Sequence, residues 1–260
     1  MNALKAVLWD VDGTLAETER DGHRVAFNVA FEALGLPWRW DEARYGELLR
    51  ITGGRERLMH DMTTRSDAPP TAAEREALAR ELHLRKNTHF AQLVRSGQLP
   101  LRGGVENLMH ECGQRGVRMG IATTTSRVNV EALLQMHLGA HWRERFAVIV
   151  CGEDVRQKKP DPEVYLLALQ ALGIGALQAV AIEDSPGGVA AARAADIAVV
   201  VTRSAYFSHA AIEGAIAIGP GLHERAGWRP ALRSTAAGAP VGLDDILGWR
   251  AQSDTVSSFD

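Results

Sequence analysis

The chain has little cysteine, no excess of positive charge and no long apolar run, and each shortage excludes something. Cys112 and Cys151 are the only cysteines in 260 residues. They are far apart and in no metal-ligand spacing, so they read as buried thiols of a reduced compartment. A formal net charge of −3 lacks the basic excess of a general nucleic-acid binder. No apolar stretch approaches the roughly 18 residues that a membrane span requires. Between Met1 and the first apolar segment there is no charged leader with a hydrophobic region, so no signal peptide is expected and a cytoplasmic location is. What remains is ordinary for a globular protein: 46% hydrophobic and 23% charged residues, and length enough for one large domain or two smaller ones.

The first segment, residues 4–9, is a short apolar run closed by Asp10-Val11-Asp12-Gly13-Thr14 and reads as a buried strand with an acidic turn. The next eighty residues read as helix. Val25, Ala26, Val29, Ala30, Ala33 and Leu34 recur at helical spacing until Gly35-Leu36-Pro37. Asp41 is placed to cap a second helix, Thr52-Gly53-Gly54 breaks it, and a third starts near Arg55. Thr71-Ala72-Ala73-Glu74 is the capping box of a long helix that reaches about Leu93. After Pro100 strand and helix alternate, with strands expected at 117–122, 146–150, 179–182, 197–201 and 215–218. Such alternation predicts an α/β fold: a doubly wound parallel sheet, a Rossmann-like core, with an inserted all-helical cap domain. The expected division is 1–16 plus 97–225 for the core, 17–96 for the cap and 226–260 for a C-terminal tail with a short amphipathic piece at 243–249.

Polar groups gather at the carboxyl ends of these strands. The first ends in Asp10 and Asp12, the second in Thr123, the fourth in Glu183 and Asp184, and Lys158-Lys159-Pro160 follows the third. In a parallel sheet all of these ends share one edge, where ligands bind. Each piece has an ordinary explanation: Asp and Thr serve turns, paired lysines are often solvated, and Ser185-Pro186 is a helix start. Gly187-Gly188 is a weak phosphate-loop signal. Four strand-end groups in this order are hard to explain as separate accidents. Carboxylate oxygens with few nitrogen or sulfur donors suit Mg²⁺, and Lys159 with the cation would attract an anionic substrate.

Asp10-Val11-Asp12-Gly13-Thr14-Leu15, Thr123, Lys159-Pro160 and Glu183-Asp184 resemble the four ordered motifs of the haloacid-dehalogenase-like superfamily. The helical insertion resembles the cap of its phosphatase and phosphomutase branch. Glu17-Thr18-Glu19, Thr52-Gly53-Gly54-Arg55-Glu56-Arg57 and Ala122-Thr123-Thr124-Thr125-Ser126 resemble the CbbY-type proteins, which remove a phosphate from xylulose 1,5-bisphosphate, an inhibitory by-product of Rubisco.

The resemblance implies that Asp10 attacks phosphorus and forms an aspartyl-phosphate, and that Asp12 is the general acid and base. A raised pKa is expected for Asp12 among other carboxylates. It further implies that Mg²⁺ is held by the carboxylates of Asp10 and Asp184 and the backbone carbonyl of Asp12, with Glu183 on metal-bound waters. Thr123, the N–H of Thr124 and Lys159 would hold the phosphoryl oxygens. Substrate-binding positions are expected at Glu17, His23, Thr52, Gly53, Gly54, Arg55, Thr124 and Thr125, with Arg55 meeting a second phosphate and Arg57 a solvated helix charge. Mutases of the superfamily carry a cap histidine ten positions after the acid/base Asp; here that position is Gly22, which favours a phosphatase. The expected partner is a phosphorylated sugar, bound by a monomer. A phosphomutase of the same fold, or a non-catalytic phosphoacceptor module of the receiver type, is the alternative.

Overall fold

The computed structural model describes residues 3–232 and 239–256. Strands β1 (Ala6–Trp9), β2 (Arg118–Ala122), β3 (Val148–Val150), β4 (Ala179–Glu183), β5 (Ala198–Thr202) and β6 (Ala217–Gly219) form one sheet in the order β3-β2-β1-β4-β5-β6. Every pairing is parallel. β1 is central and buried on both faces, which is why it reads as an unbroken apolar run. Its pleat sends Val7 and Trp9 into one hydrophobic cluster and Ala6 and Leu8 into the other. Trp9 lies in register with Ile121 of β2 and Ile182 of β4. That register brings Asp10, Thr123 and Glu183-Asp184 to one edge.

Between β1 and β2 come α1 (Arg24–Ala33), α2 (Glu42–Leu48), α3 (Gly54–Thr63) and α4 (Ala72–Arg95). Local chemistry fixes their starts. The Asp41 carboxylate accepts from the Arg44 N–H at 2.7 Å, and Thr71 and Glu74 form the reciprocal capping box. These helices bury a core of their own: Phe27, Phe31, Trp38, Trp40, Tyr45, Leu58, Met62 and Leu82 form a third cluster separate from the two that flank the sheet. The helix expected from about residue 17 is present, but it does not start as a regular α-helix. Residues Glu19–His23 form a π-helical turn before α1 begins.

The remaining helices are α5 (Val105–Gln114), α6 (Arg127–Leu138), α7 (Glu163–Leu172), α8 (Pro186–Ala194) and α9 (Leu243–Val256). β3 is shorter than expected because Trp142–Arg145 coils into a 3₁₀ turn ahead of it. The segment set apart as a tail lies partly outside the described residues, and its described part is packed on the core. Val241, Leu243, Ile246 and Trp249 join the cluster of Val7 and Trp9, and Trp249 stacks on Trp228 at 4.6 Å. Arg229 and Ile218 exchange backbone hydrogen bonds at 2.9 Å, which occupies the open edge of β6.

Candidate active site

The sheet edge and the helical insertion enclose a cavity of about 680 Å³. On its core wall, Lys159 is the organising cation. Its ammonium donates to Asp10 Oδ1 at 2.7 Å, Glu183 Oε1 at 2.6 Å and the Ala122 carbonyl at 2.9 Å, using all three donors. The Tyr165 hydroxyl donates to the same Glu183 oxygen at 2.6 Å. Burial works against the charge on Lys159, yet Asp10 and Glu183 hold it above the usual ammonium range.

One oxygen from each of Asp10, Glu183 and Asp184 lies within 4.8 Å of the others, and all three residues are buried. Three carboxylates face one ammonium, so the excess negative charge must be relieved. In the protein alone, protons relieve it. Burial first, then Glu183 and Asp12, push Asp10 up to about 8 against the pull of Lys159. Burial, Asp10 and Glu183 likewise push Asp184 well above the carboxylate range, with Ser204 and Arg102 opposing. A buried all-oxygen donor set with this excess charge fits a hard divalent cation.

Asp12 behaves in the opposite way. Its carboxylate turns from that trio and accepts from Thr18 Oγ1 at 2.6 Å and meets His23 Nε2 at 2.8 Å. Burial opposes its ionisation, but His23, Thr18 and Lys86 together hold it below the usual carboxylate range. The expected rise in the pKa of Asp12 is therefore corrected. The Asp12 carboxylate is engaged by His23 and Thr18, and its backbone carbonyl is the group expected to face the cation.

His23 stands eleven positions after Asp12, one beyond the position at which the mutases named above carry their cap histidine. The π-helical turn at Glu19–His23 absorbs the extra residue. Buried and stacked on Phe90 at 4.2 Å, His23 reaches the acid/base loop all the same. The offset against the mutase pattern thus carries no weight.

Thr52, Gly53, Gly54, Arg55, Thr123, Thr124 and Thr125 all line the cavity. The Thr123 hydroxyl accepts from the Thr125 N–H at 3.3 Å, tightening the turn after β2. Gly53 has φ +100°, and a Cβ there would lie 2.2 Å from Glu56 Oε2 and 2.7 Å from Lys158 Nζ. Lys158 and Glu56 pair at 2.9 Å and join the loop after β3 to α3. Arg55 is half-exposed and lies 3.4 Å from Glu76. Glu17 does not line the cavity. Its carboxylate lies 3.5 Å from the Arg102 guanidinium and accepts from the Ala205 N–H at 3.2 Å, so the structure does not bring it together with the other expected substrate-binding residues. Arg57 is not a solvated charge. It is buried and donates to the Tyr45 hydroxyl at 2.8 Å and to the Leu48 and Ile51 carbonyls, with Glu19 at 3.6 Å. Gly187-Gly188 is no phosphate loop either: a Cβ on Gly188 would fall 1.9 Å from the Glu183 carboxylate, so the glycine makes room for that side chain.

Sequence reasoning missed Lys86. It is 3% exposed on α4, lies 5.2 Å from the Phe90 ring and 5.4 Å from the Phe27 ring, and lines the cavity. Its hydrogen bond is to Asn87 Oδ1 at 3.3 Å, and no carboxylate within ion-pair distance is found among the described residues. Burial pulls its pKa down to about 8, although Asp12 and Glu19 oppose. A signal was present in the sequence: Lys86 interrupts the buried stripe Ala79, Leu82, Phe90, Val94 of one helix face.

Comparison with known proteins agrees with this geometry. A family profile described as haloacid dehalogenase-like hydrolase matches residues 4–196. The plasmid-borne Protein CbbY of Cupriavidus necator is 42% identical over 246 residues, 95% of this chain and 96% of that protein. A crystal structure of a CbbY mutant from Rhodobacter sphaeroides in complex with xylulose 1,5-bisphosphate superposes with a TM-score of 0.81 at 37% identity, covering 93% of this chain and 98% of the other. A phosphoglycolate phosphatase of Rhodospirillum rubrum is 32% identical, covering 78% of this chain and 80% of that one.

Proposed function

The chain belongs to the haloacid dehalogenase-like hydrolases, and from that premise we propose that it is a Mg²⁺-dependent sugar-bisphosphate phosphatase that removes the 1-phosphate of xylulose 1,5-bisphosphate, an inhibitory by-product of Rubisco. The observation that carries the reading is the contrast between two neighbouring carboxylates. Asp10 faces the cavity beside Lys159, while Asp12 is bound to Thr18 and His23. In this reading the first is the nucleophile and the second the proton carrier.

In the proposed reaction an Asp10 oxygen attacks phosphorus and the bond from phosphorus to the sugar oxygen breaks. The leaving alkoxide takes the proton shared between Asp12 and His23. Asp12 then accepts a proton from the water that attacks the aspartyl-phosphate, and inorganic phosphate leaves. Thr123 and the Thr124 N–H hold the phosphoryl oxygens, and Lys159 turns its Asp10 hydrogen bond to them as the Asp10 oxygen bonds to phosphorus. Asp10, Asp184 and the Asp12 carbonyl would hold Mg²⁺, with Glu183 on its waters; when bound, the ion neutralises charge on the phosphoryl oxygens. Residues 17–96 serve as the cap, in which Lys86 and Arg55 meet the distal phosphate beside the Gly53-Gly54 turn and Glu56 faces the sugar. No described helix is long and apolar enough to cross a membrane, and the reading keeps the expectation of a cytoplasmic monomer.

Phosphate release measured over a panel of pentose and hexose mono- and bisphosphates tests the proposal. Xylulose 1,5-bisphosphate should exceed its monophosphate analogues in kcat/KM by roughly 10⁴-fold, because a missing phosphate leaves the buried Lys86 ammonium unpaired. Equal rates on mono- and bisphosphates would remove the distal site from the reading. A sugar phosphomutase is favoured by one observation, the contact of His23 with Asp12. Isomerisation of a monophosphate without net phosphate release would decide for it.

A further inference from the structure

Arg102 takes no part in this chemistry and does not line the cavity, yet its guanidinium is engaged on every side. Nη1 donates to the Gly13 carbonyl, to the Thr202 carbonyl at 3.0 Å and to Thr202 Oγ1 at 3.2 Å. Nη2 donates to the Arg203 carbonyl at 2.6 Å and the Pro220 carbonyl at 3.0 Å. Nε lies 3.5 Å from Glu17 Oε1. The acceptors come from the loop after β1, the end of β5 and the turn after β6. Carbonyls at the ends of parallel strands have run out of ladder partners, and a planar fork of five donors can serve several at once.

The backbone of Arg102 is placed as tellingly as its side chain. Its N–H donates to the Leu15 carbonyl at 2.7 Å, beside the antiparallel bridge between Ala16 and Leu101. That bridge joins the two connections through which the chain leaves the sheet for the helical insertion and returns. The loop it anchors has no slack. Gly13 has φ +85°, and a Cβ there would lie 2.1 Å from Asp184 Oδ2 and 3.1 Å from Ser204 Cβ. Any shift of the Gly13 peptide must displace Asp12, to which it is bonded, relative to Asp184.

We propose that Arg102 is a positioning residue for the acid/base loop: it clamps the Gly13 carbonyl to the ends of β5 and β6 and so sets Asp12 against Asp184 and Asp10. The proposal rests on the roles given above to Asp10 and Asp12, but not on the identity of the sugar. Lysine cannot replace this arginine, because an ammonium is a point charge and cannot span acceptors on three loops.

The test uses the full chain with Mg²⁺ and two substrates, p-nitrophenyl phosphate, which makes little use of the helical wall, and xylulose 1,5-bisphosphate. Arg102→Ala and Arg102→Lys should lower kcat on both by roughly 10- to 100-fold, the scale of a misplacement of about 1 Å. KM should stay within about twofold, because no substrate contact is removed. Added guanidinium ion should restore part of the kcat of Arg102→Ala and none of that of Arg102→Lys. A folded Arg102→Ala with wild-type kcat, a loss confined to KM, or a fully active Arg102→Lys overturns the proposal. If neither variant folds, Arg102 acts on stability alone and the proposal falls as well. Wild-type turnover of p-nitrophenyl phosphate without turnover of the bisphosphate would sink the substrate reading and leave the Arg102 test intact.

Discussion

The two walls of the cavity satisfy their polar groups differently. On the core wall, Lys159, Asp10, Glu183 and Tyr165 are bound to one another. On the helical wall, His23 Nδ1 and Glu56 Oε2 are buried and lack hydrogen-bond partners among the described residues, and Lys86 lies between two phenyl rings with only an amide oxygen. Of the cavity-lining residues, His23 and Glu56 are the ones with such orphaned buried atoms. Unpaired buried polar groups are costly, so they are worth keeping only where a ligand completes them. The core wall is preorganised for a reaction that any phosphate ester could undergo. The helical wall keeps unpaired groups for a ligand, and in the proposed function it is the wall that carries recognition.

The largest test of that division is Asp10→Asn. It should bring phosphate release to background, a loss on the order of 10⁴-fold or more for a nucleophile. It should also abolish trapping of an aspartyl-phosphate mimic by beryllofluoride, while circular dichroism stays native. Retained activity would show that the core wall does not hold the nucleophile.

Lys86→Met comes next and tests the other wall. Losing the cap cation should cost about 10²-fold in kcat/KM on the bisphosphate and little on p-nitrophenyl phosphate. Stability should move the opposite way. A buried ammonium without a carboxylate partner is expensive, and an apolar chain of similar size should raise stability by on the order of 1 to 3 kcal/mol in denaturant unfolding. A variant that loses stability and keeps activity would make Lys86 a packing residue.

The contrast also explains what was legible beforehand. Asp10, Thr123, Glu183 and Asp184 follow strands directly, so strand order alone brings them together, and Lys159 could be assigned once the edge was known. The helices were equally plain, because Asp41 and the Thr71-Glu74 box announce their starts. Lys86 showed in the sequence only as a charge interrupting a buried stripe, and Arg102 not at all, since their roles depend on distances across elements far apart in sequence. His23 was set aside as a mutase-type histidine because it falls one position past the one that the resemblance names, and the π-helical turn at Glu19–His23 could not be seen in the sequence. Glu17 was singled out by nearness in sequence to the nucleophile loop, whereas the fold sets its carboxylate against Arg102 and outside the cavity lining.

A smaller effect follows from pH. Burial holds the Lys86 ammonium at about 8, with Asp12 and Glu19 supporting the charge and Arg57 opposing it. Below that pH the side chain is charged and, in the proposed function, able to pair with a distal anion; above it the charge is lost. The kcat/KM for the bisphosphate should fall by up to about tenfold per pH unit above pH 8, and the fall should vanish in Lys86→Met. The sign for folding is the reverse. A lysine whose folded pKa lies below its ordinary value favours the folded state as pH rises from about 8 toward the ordinary lysine range. A profile on the bisphosphate that is flat up to pH 9.5 would take the charge of Lys86 out of recognition.

Glu17→Gln gives the smallest expected change and tests where the boundary between the walls runs. Its carboxylate faces Arg102 at 3.5 Å and is about one-third exposed, so the ion pair is of the weak, solvent-screened kind. Glutamine keeps an oxygen for the Ala205 N–H, the other contact of this side chain. Arg102 would still hold four carbonyls, so the acid/base loop should stay in place. The substitution should change kcat/KM by no more than about threefold and stability by less than about 1 kcal/mol. A loss of tenfold or more on the bisphosphate, with p-nitrophenyl phosphate unaffected, would mean that the side chain swings to the substrate on binding. The helical wall would then extend into the first connection, and recognition would begin five residues after Asp12.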